Sequence, residues 1–298
     1  MLLRNLDSFI EIAKSKPKKK IAIAAAEDEP VLIAANEAFK QGIAEPILVG
    51  DNAKIQGIAD RLGLDISGFE IINEQDPSAS ARKAVKIILE GRAQILMKGL
   101  VSSADFLRAV LNKEQGLRKG DLLSHIGFFD PPTYPKLIAI TDAAQNVAPD
   151  FNEKVGIIKN AVDLFHRLGV ANPKIAVVAA VETVNPKMPA TIDAALLTMM
   201  NKRNQIKGCI IDGPLALDNS ISAEAAHHKG IDSLVSGDAD LLMMPDIEAA
   251  NALYKSLTYF AGASVAACIL GAAVPIVLTS RSDTDRSKLT SLALAASF

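Results

Sequence analysis

Apolar runs of strand length alternate with amphipathic segments of helix length along the whole of this 298-residue chain. In the first third, the strand-like runs are Ile21–Ala26, Pro46–Gly50, Phe69–Ile72 and Gln94–Met97. They are apolar on both faces, as strands inside a parallel sheet must be when helices cover both of its sides. The pattern therefore predicts an α/β fold with a largely parallel sheet.

A second alternation of the same kind follows a proline-rich hexapeptide, Asp130–Pro135. Its strand-like runs include Ile175–Ala180, Gly208–Ile211 and Leu241–Met243, with helical patterns between them. Clusters of proline interrupt regular structure, so the hexapeptide is the best candidate for a linker between two α/β domains. The chain is long enough for two domains that each bury a core.

Charge and aromatic content argue against a nucleic-acid partner. Thirty-two basic residues balance thirty-four acidic ones, the net charge is −2, and tryptophan is absent. The chain therefore supplies neither a positive field nor many stacking platforms for bases. Cys209 and Cys268 lie in apolar runs without metal-ligand spacing, which is typical of a reducing, cytoplasmic compartment.

One segment, Leu257–Ser280, contains no charged residue and is long enough to cross a bilayer. Gly262, Gly271 and Pro275 divide it, so we expect a helix end, a turn and a strand instead of a membrane span. The first residues of the chain lack the basic and apolar regions of a signal peptide. The sequence thus predicts a cytoplasmic protein without a membrane partner.

Polar residues follow five of the predicted strands, where α/β folds place their chemistry. These residues are Lys98–Gly99, Thr141–Asp142, Glu182–Thr183, Asp212–Gly213–Pro214 and Ser280–Arg281. The sequence has no glycine-rich phosphate loop of the P-loop or dinucleotide-binding type, no nucleophile elbow and no HExxH zinc motif. Its four histidines show no ligand spacing, so we expect no metal site.

The strongest single candidate for a site is the segment Val274–Asp285 near the C-terminus. A buried strand there leads directly into Ser280, Arg281, Asp283 and Asp285, and then into a helix. A hydroxyl, a guanidinium and two carboxylates at a strand end are held rigidly and still reach a crevice. We therefore expect Ser280 and Arg281 to form the centre of the site.

Five segments, in this order along the chain, resemble the phosphate acetyl/butyryltransferase family. They are Met97–Arg108, Val184–Thr191, Asp212–Asp218, Gly237–Asp240 with Pro245–Glu248, and Leu278–Asp283. The resemblance implies two α/β domains with largely parallel sheets, of the isocitrate/isopropylmalate dehydrogenase type, and an active site in the cleft between them. The first domain would comprise residues 1–133 and 275–298, and the second residues 134–274.

The resemblance also implies an activity, which is reversible transfer of a short acyl group between coenzyme A and inorganic phosphate in a ternary complex. Butyryl is the favoured acyl group and acetyl is the alternative. Coenzyme A is then a substrate, no cofactor is tightly bound, and no metal takes part. The implied partners are acyl-CoA and phosphate, with acyl phosphate and coenzyme A in the reverse direction, and a second copy of the chain in a homodimer or larger homo-oligomer.

Matching positions carry the functional residues that the family implies. Ser280 and Arg281 correspond to its Ser-Arg pair, with the hydroxyl assigned to the acyl carbonyl or phosphate and the guanidinium to phosphate and developing negative charge. Arg108 is assigned to phosphate or coenzyme A. The further substrate-binding residues expected from these segments are Lys98, Ser102, Asp212 and Lys187, with Lys187 near the coenzyme A phosphates.

The general base departs from the family pattern. Acetyltransferase relatives carry a carboxylate seven residues after the site serine to deprotonate the coenzyme A thiol, and Ser287 stands at that position here. Asp283 and Asp285 are the nearby carboxylates that could take over this role. The alternative is that Arg281 and Arg286 lower the pKa of the thiol.

Two other functions remain open at this stage. A non-catalytic sensor of acyl-CoA shares this fold; the serine at position 287 favours it, whereas the intact Ser280–Arg281 pair favours catalysis. A metal-dependent hydroxyacid dehydrogenase has a distantly similar fold but requires clustered acidic ligands. Asp212, Asp238 and Asp240 are the nearest approximation to such a cluster.

Overall fold

The computed structural model describes residues 3–120, 122–278 and 283–298. The strands in these residues are β1 (Lys19–Ala24), β2 (Ala44–Gly50), β3 (Glu70–Asn73), β4 (Ile95–Lys98), β5 (Ser124–Asp130), β6 (Ile138–Thr141), β7 (Lys174–Val178), β8 (Ile210–Leu215), β9 (Leu241–Met243), β10 (Ser264–Leu270) and β11 (Ile276–Val277). The helices are α1 (Asp7–Lys14), α2 (Glu29–Lys40), α3 (Asn52–Leu62), α4 (Pro77–Leu89), α5 (Ser103–Val110), α6 (Phe151–Arg167), α7 (Pro189–Lys202), α8 (Leu217–Ile221), α9 (Ala223–His228), α10 (Ile247–Tyr259) and α11 (Asp285–Ala296).

The chain divides into two compact units, each made from two segments. The terminal unit comprises Asp7–Asp121 and Ala266–Phe298, and the central unit comprises Met1–Leu6 and Leu122–Val265. Both units alternate strands with helices, and most of their strand pairs are parallel. The α/β fold class predicted from the sequence is therefore confirmed.

In the terminal unit the strand order is β3-β2-β1-β4-β11-β10. Neighbouring strands are parallel except for β10 and β11, which pair in antiparallel fashion through Ile269 and Ile276. The central strands of this order are apolar on both faces: Ile21, Ile23 and Leu96 are fully buried. This two-sided burial explains the unbroken apolar runs in the sequence.

In the central unit the strand order is β5-β6-β9-β7-β8, with β5 antiparallel to β6 and the other neighbours parallel. Strand β8 is the last in this order. Its register with β7 shifts between Ala176 and Val178, so the pairing is irregular there. An edge position with irregular pairing is where a strand tolerates a proline such as Pro214.

Aspartate side chains cap many of the helices at their N-terminal ends. The carboxylates of Asp28, Asp51, Asp76, Asp150 and Asp246 each accept a hydrogen bond from a backbone N–H in the first turn of the helix that follows. A capping side chain satisfies one of the four N–H groups that a helix start leaves without a partner. Capping therefore needs only neighbouring residues, and a sequence pattern is enough to find it.

The segment Leu257–Ser280 contains a strand that the sequence did not reveal. The structure places β10 at Ser264–Leu270, before the predicted final strand, and all but the first of its residues are buried. Four of the residues 261–267, where this strand begins, are alanine, which has little preference for strands, so local pattern did not distinguish the strand from a helix end. Of the helices formed by the residues described, none is both long and apolar enough to cross a bilayer.

The borders of the two units differ from the expected domain borders at 133/134 and 274/275. The observed borders fall at 121/122 and 265/266, and Met1–Leu6 lies with the central unit. The difference follows from strand pairing: β5 pairs with β6 in the central unit, and most of β10 belongs with its partner β11 in the terminal unit. Long-range pairing of this kind leaves no mark on the local sequence.

Candidate active site

The ends of β4 and β11 lie side by side in the terminal unit. Ile276 is paired with Leu96 and Val277 with Met97 in parallel register. Leu278 is therefore level with Lys98, and the segment with the predicted serine and arginine starts directly after it. Ser280 and Arg281 themselves lie outside the described residues. Strand pairing thus brings two segments that are far apart in sequence to one edge of the sheet.

Gly99 holds the chain close to the end of β1. Its N–H donates to Ala24 O at 2.8 Å, and the N–H of Leu100 donates to Ala25 O at 2.7 Å. A Cβ atom on Gly99 would lie only 2.2 Å from Ala25 O, which is a backbone atom and cannot be moved by a side-chain rotation. Glycine is therefore required where the chain leaves β4.

Lys98 is buried, at 7% exposure, at the end of β4. Its Nζ donates to Gly99 O at 3.2 Å and to Val101 O at 3.1 Å, so the ammonium group stabilises the turn that leads into α5. The substrate contact expected for Lys98 stays a prediction. The contacts described make it a residue that shapes the edge of the sheet and places a positive charge there.

Ser102 and Arg108 meet at Asp105 in the first turns of α5. The Ser102 hydroxyl accepts from Asp105 N at 3.0 Å and donates to Asp105 Oδ2 at 2.7 Å, and Arg108 forms an ion pair with the same carboxylate. The hydrogen bond from Ser102, followed by that from Arg108, lowers the pKa of Asp105 below its usual range. Asp105 is thus charged at neutral pH, and sequence reasoning had not singled it out.

The start of α11 contains the alternatives for the general base. Thr284 caps the helix and its Oγ1 accepts from Ser287 N at 3.1 Å. Ser287 carries no carboxylate, and its side chain is buried, so it is not placed to meet a thiol. Asp283 is half-buried, and Asp285 is exposed in the first turn of the helix. The favourable place of an acidic group at a helix start gives Asp285 a structural role as well.

Two basic side chains lie near this helix start, and sequence reasoning had not indicated a role there for one of them, Lys288. Lys288 is buried, at 3% exposure, and its Nζ donates to the backbone oxygen of Asp283. Its signal in the sequence is that it is the last charged residue of α11, before a run of small and apolar residues from Leu289 to Ala296. Arg286, considered as a group that lowers the thiol pKa, pairs with Asp7 at 3.0 Å.

Asp212 and Lys187 belong to the central unit. The expectation that Asp212–Gly213–Pro214 ends a strand is wrong, because β8 continues through these residues to Leu215. The proline is tolerated because β8 is the last strand of the unit. Lys187 is exposed in the loop before α7, and its N–H donates to Asn185 Oδ1 at 2.9 Å.

Glu182, in the loop that follows β7, organises a polar cluster in the same unit. Its carboxylate accepts from Lys229 Nζ at 2.6 Å and from the amide of buried Asn219. The hydrogen bond from Lys229 lowers the pKa of Glu182, against a smaller effect of burial. The same lysine pairs with Asp218 at 3.0 Å. Glu182 therefore joins the end of β7 to α8 and α9.

The acidic groups considered as metal ligands are used in ion pairs. Lys136 Nζ lies 2.7 Å from Asp238 Oδ1 and 2.6 Å from Asp240 Oδ1, and Lys174 Nζ lies 2.6 Å from Asp238 Oδ2. Asp212 lies apart from them in β8. Across 3–120, 122–278 and 283–298, no group of three histidine, cysteine or acidic residues could hold a metal ion.

The edge formed by β4 and β11 is suited to bind an anion. Helices α5 and α11 follow these adjacent strands, and the N-terminal end of a helix carries partial positive charge and N–H donors. Lys98 and Lys288 add two buried ammonium groups. Anionic oxygen atoms of a phosphate, or negative charge that develops on a carbonyl oxygen, would be stabilised here.

Comparison with known proteins gives matches over nearly the whole chain. The family described as phosphate acetyl/butaryl transferase matches residues 6–82 and 75–296. Phosphate butyryltransferase of Clostridium beijerinckii is 50% identical over 293 residues, which cover 98% of this chain and 97% of the relative. The enzyme of the same name from Clostridium acetobutylicum is 48% identical over 295 residues, covering 99% and 98%.

A solved structure shows the same fold. The branched-chain phosphotransacylase from Enterococcus faecalis V583 superposes with a TM-score of 0.84 at 34% identity, covering 94% of this chain and 98% of that one. The predicted resemblance is thereby confirmed, from the five quoted segments to nearly the full length. The chain belongs to the phosphate acetyl/butaryl transferase family.

Proposed function

We propose that this protein transfers a short acyl group reversibly between coenzyme A and inorganic phosphate, within a ternary complex. A phosphate oxygen attacks the thioester carbonyl; the new C–O bond forms, the C–S bond breaks, and coenzyme A leaves as a thiolate that takes up a proton. Coenzyme A is a substrate, and no resident cofactor takes part. The observation that carries the proposal is a sequence identity of 48% and 50% to two phosphate butyryltransferases, over 99% and 98% of this chain.

The edge of the terminal unit supports this chemistry. Attack on a thioester builds negative charge on the carbonyl oxygen while phosphate is already charged, so fixed donors and cations lower the barrier. We assign the phosphate to the N-terminal ends of α5 and α11, with Arg281 as its bidentate partner and Ser280 as donor to the acyl carbonyl. Arg108 and Ser102 are assigned to the substrate phosphates on the α5 side.

For the general base we propose Asp283. It is only half-buried, and the Lys288 ammonium holds its backbone oxygen, so its position is defined. Asp285 is the first residue of α11 and is exposed to water, which suits a base less well. Asp283→Asn should lower the rate of transfer to phosphate much more than Asp285→Asn. Equal rates in both variants and the wild type would exclude both carboxylates.

Butyryl is the acyl group that we propose, because both butyryltransferase relatives are more similar to this chain than the branched-chain enzyme is. Acetyl and branched acyl groups are the alternatives. One methylene changes binding by only about 1–3 kcal/mol, so the preference must be measured across a series.

The test is phosphate-dependent release of coenzyme A thiol from acetyl-, butyryl-, isobutyryl- and octanoyl-CoA. We expect a maximum at butyryl, and a loss of about 100-fold or more in kcat for Arg281→Ala, as when one oxyanion donor is removed. The control is Arg61→Ala, an exposed arginine paired with Glu29 at 2.9 Å, which should leave kcat unchanged. Binding of acyl-CoA without phosphate-dependent release would point to the sensor function instead.

We further propose a cytoplasmic homo-oligomer. The two cysteines are both free and buried, which suits a reducing compartment. On α7, Leu196 and Met199 are exposed at one helical turn's separation, and an apolar pair of this kind suits contact with a second copy. Leu196→Lys should lower the molecular mass in light scattering, whereas an unchanged mass would exclude this face from the interface.

A further inference from the structure

A groove between α4 and α5 combines positive charge with apolar surface. It has a volume of about 390 Å³, within the range of small-molecule sites. The part contributed by α4 is Arg82, Val85, Lys86 and Leu89. These residues are spaced at i, i+3, i+4 and i+7, so they share one face of the helix.

The part contributed by α5 and the turn after it has the same spacing. Asp105, Arg108, Ala109 and Asn112 line the opposite wall, and Gln115 completes it. The lining thus contains three cations and a single carboxylate, together with three apolar side chains and two amides. Of the residues to which a substrate role was assigned above, only Arg108 lines this groove.

Two of the three cations, Arg82 and Lys86, are held only loosely by their own neighbours, whereas Arg108 is paired with Asp105. Arg82 lies 3.7 Å from Asp76, and Lys86 lies 3.8 Å from Glu90, and both basic side chains are mostly exposed. Exposed pairs of this length contribute little to stability. A phosphate can therefore replace these partners at small cost and gain charge-assisted hydrogen bonds.

The two ends of the groove differ in chemistry. Ser78 and Asp105 lie at its beginning, near the starts of α4 and α5, whereas Leu89, Asn112 and Gln115 lie where the helices end. Leu89 is 52% exposed and offers an apolar surface on which a planar ring can pack. Side-chain amides are suited to pair with the edge of a purine base, as asparagine and glutamine do with adenine.

We propose that the α4/α5 groove binds a nucleoside phosphate, with the phosphate on Arg82, Lys86 and Arg108 and the base on Leu89 beside the two amides. The ligand has two possible sources with this same chemistry. One is the phosphorylated adenosine end of coenzyme A, an assignment that depends on the proposed function. The other is a free nucleotide that acts as an effector.

Direct binding tests the site without reference to turnover. Calorimetry with adenosine 3′,5′-bisphosphate and with ADP should show binding to the full-length protein, and the double variant Arg82→Gln/Lys86→Gln should weaken it about tenfold or more. Both side chains are mostly exposed, so the variant should fold normally. The matched control is Arg61→Gln, in the same unit, which should bind as the wild type does.

Pyrophosphate distinguishes a nucleotide site from a site that binds any anion, because it has the phosphate charge of a nucleotide but no base. Gln115→Ala should weaken the binding of adenosine 3′,5′-bisphosphate but not the binding of pyrophosphate. Absence of nucleotide binding, unchanged binding by the double variant, or equal affinity for pyrophosphate and nucleotide would each overturn the proposal.

Kinetics then identify the source. If the ligand is part of coenzyme A, the double variant raises KM for acyl-CoA at unchanged kcat, and this effect is smaller with the thioester of dephospho-coenzyme A. If the ligand is a free nucleotide, KM is unchanged while nucleotide binding is lost. Both results support the groove as a nucleotide site. A protein that binds nucleotide here but transfers no acyl group would contradict only the proposed function.

Discussion

Gly99→Ala offers the sharpest test of how the edge of the terminal sheet is built. The added Cβ would lie 2.2 Å from Ala25 O and 2.8 Å from Ala24 O, and real Cβ atoms essentially never approach other atoms within 3.0 Å. Both neighbours are backbone atoms at the end of β1. The segment that leaves β4 must therefore move away from β1 by about 1 Å, a displacement large enough to matter for catalysis.

The expected size of the effect follows from that displacement. Lys98 directly precedes Gly99 and Ser102 follows it by three residues, so their side chains and the start of α5 move with it. Misplacement of catalytic groups by about 1 Å can lower the rate about 100-fold. Overpacking of this kind also lowers the free energy of unfolding by about 1–3 kcal/mol, which a chain of this size should survive.

The assay is phosphate-dependent release of coenzyme A thiol, with urea denaturation to measure stability in parallel. Gly57→Ala is the matched control, because Gly57 lies inside α3 and nothing is within 4 Å of its added Cβ. That variant should keep its kcat and gain about 1 kcal/mol in helix stability. If Gly99→Ala keeps wild-type kcat while it folds normally, the reasoning about this edge is refuted.

Three further results are expected. Lys136→Met should lower the free energy of unfolding by about 1.5–3 kcal/mol in urea, because the buried ammonium of Lys136 pairs with the partly buried carboxylate of Asp240; Lys54→Met, which removes a mostly exposed lysine, should cost at most about 1 kcal/mol, and equal losses would contradict this. Burial acts to raise the pKa of Asp238, but hydrogen bonds from its lysine neighbours outweigh this and lower it. The stability that this carboxylate contributes is thus present above its unfolded pKa of about 3.9 and lost as the pH falls through the lower folded value, and Asp238→Asn should lack this acid-dependent loss in denaturation measured from pH 6 to pH 2. Burial raises the pKa of Cys209 to about 11 and that of Cys268 further, so neither thiol should react with a disulfide reagent at pH 8 until the protein is unfolded; rapid reaction of the native protein would refute their burial.

Much of the local structure near the site could be anticipated because it depends on neighbouring residues. The end of β4 at Lys98, the cap formed by Ser102 and the start of α11 near Asp285 all follow from short patterns of apolar runs, hydroxyl groups and acids. Arg108 lies on the exposed side of α5. Its role toward substrate stays a prediction, as do the roles of Ser280 and Arg281.

Features that depend on contacts between distant segments could not be anticipated. The burial of Lys288 follows from the packing of α11 in the terminal unit, and a lysine in a helix ordinarily faces water. Asp212 was expected after a strand because the Asp-Gly-Pro pattern is typical of a turn. Its position inside β8 results from pairing with β7 at the last strand of the central unit.

The amino-acid sequence was therefore sufficient for the α/β class, for most helix and strand positions and for the family, because periodic burial and helix capping act over a few residues. The folded chain was needed to place β11 beside β4 and β10 beside β11, and to form the α4/α5 groove. Strand order and helix packing are set by the burial of apolar faces from segments far apart in sequence, and such faces accept more than one partner until the whole core is assembled.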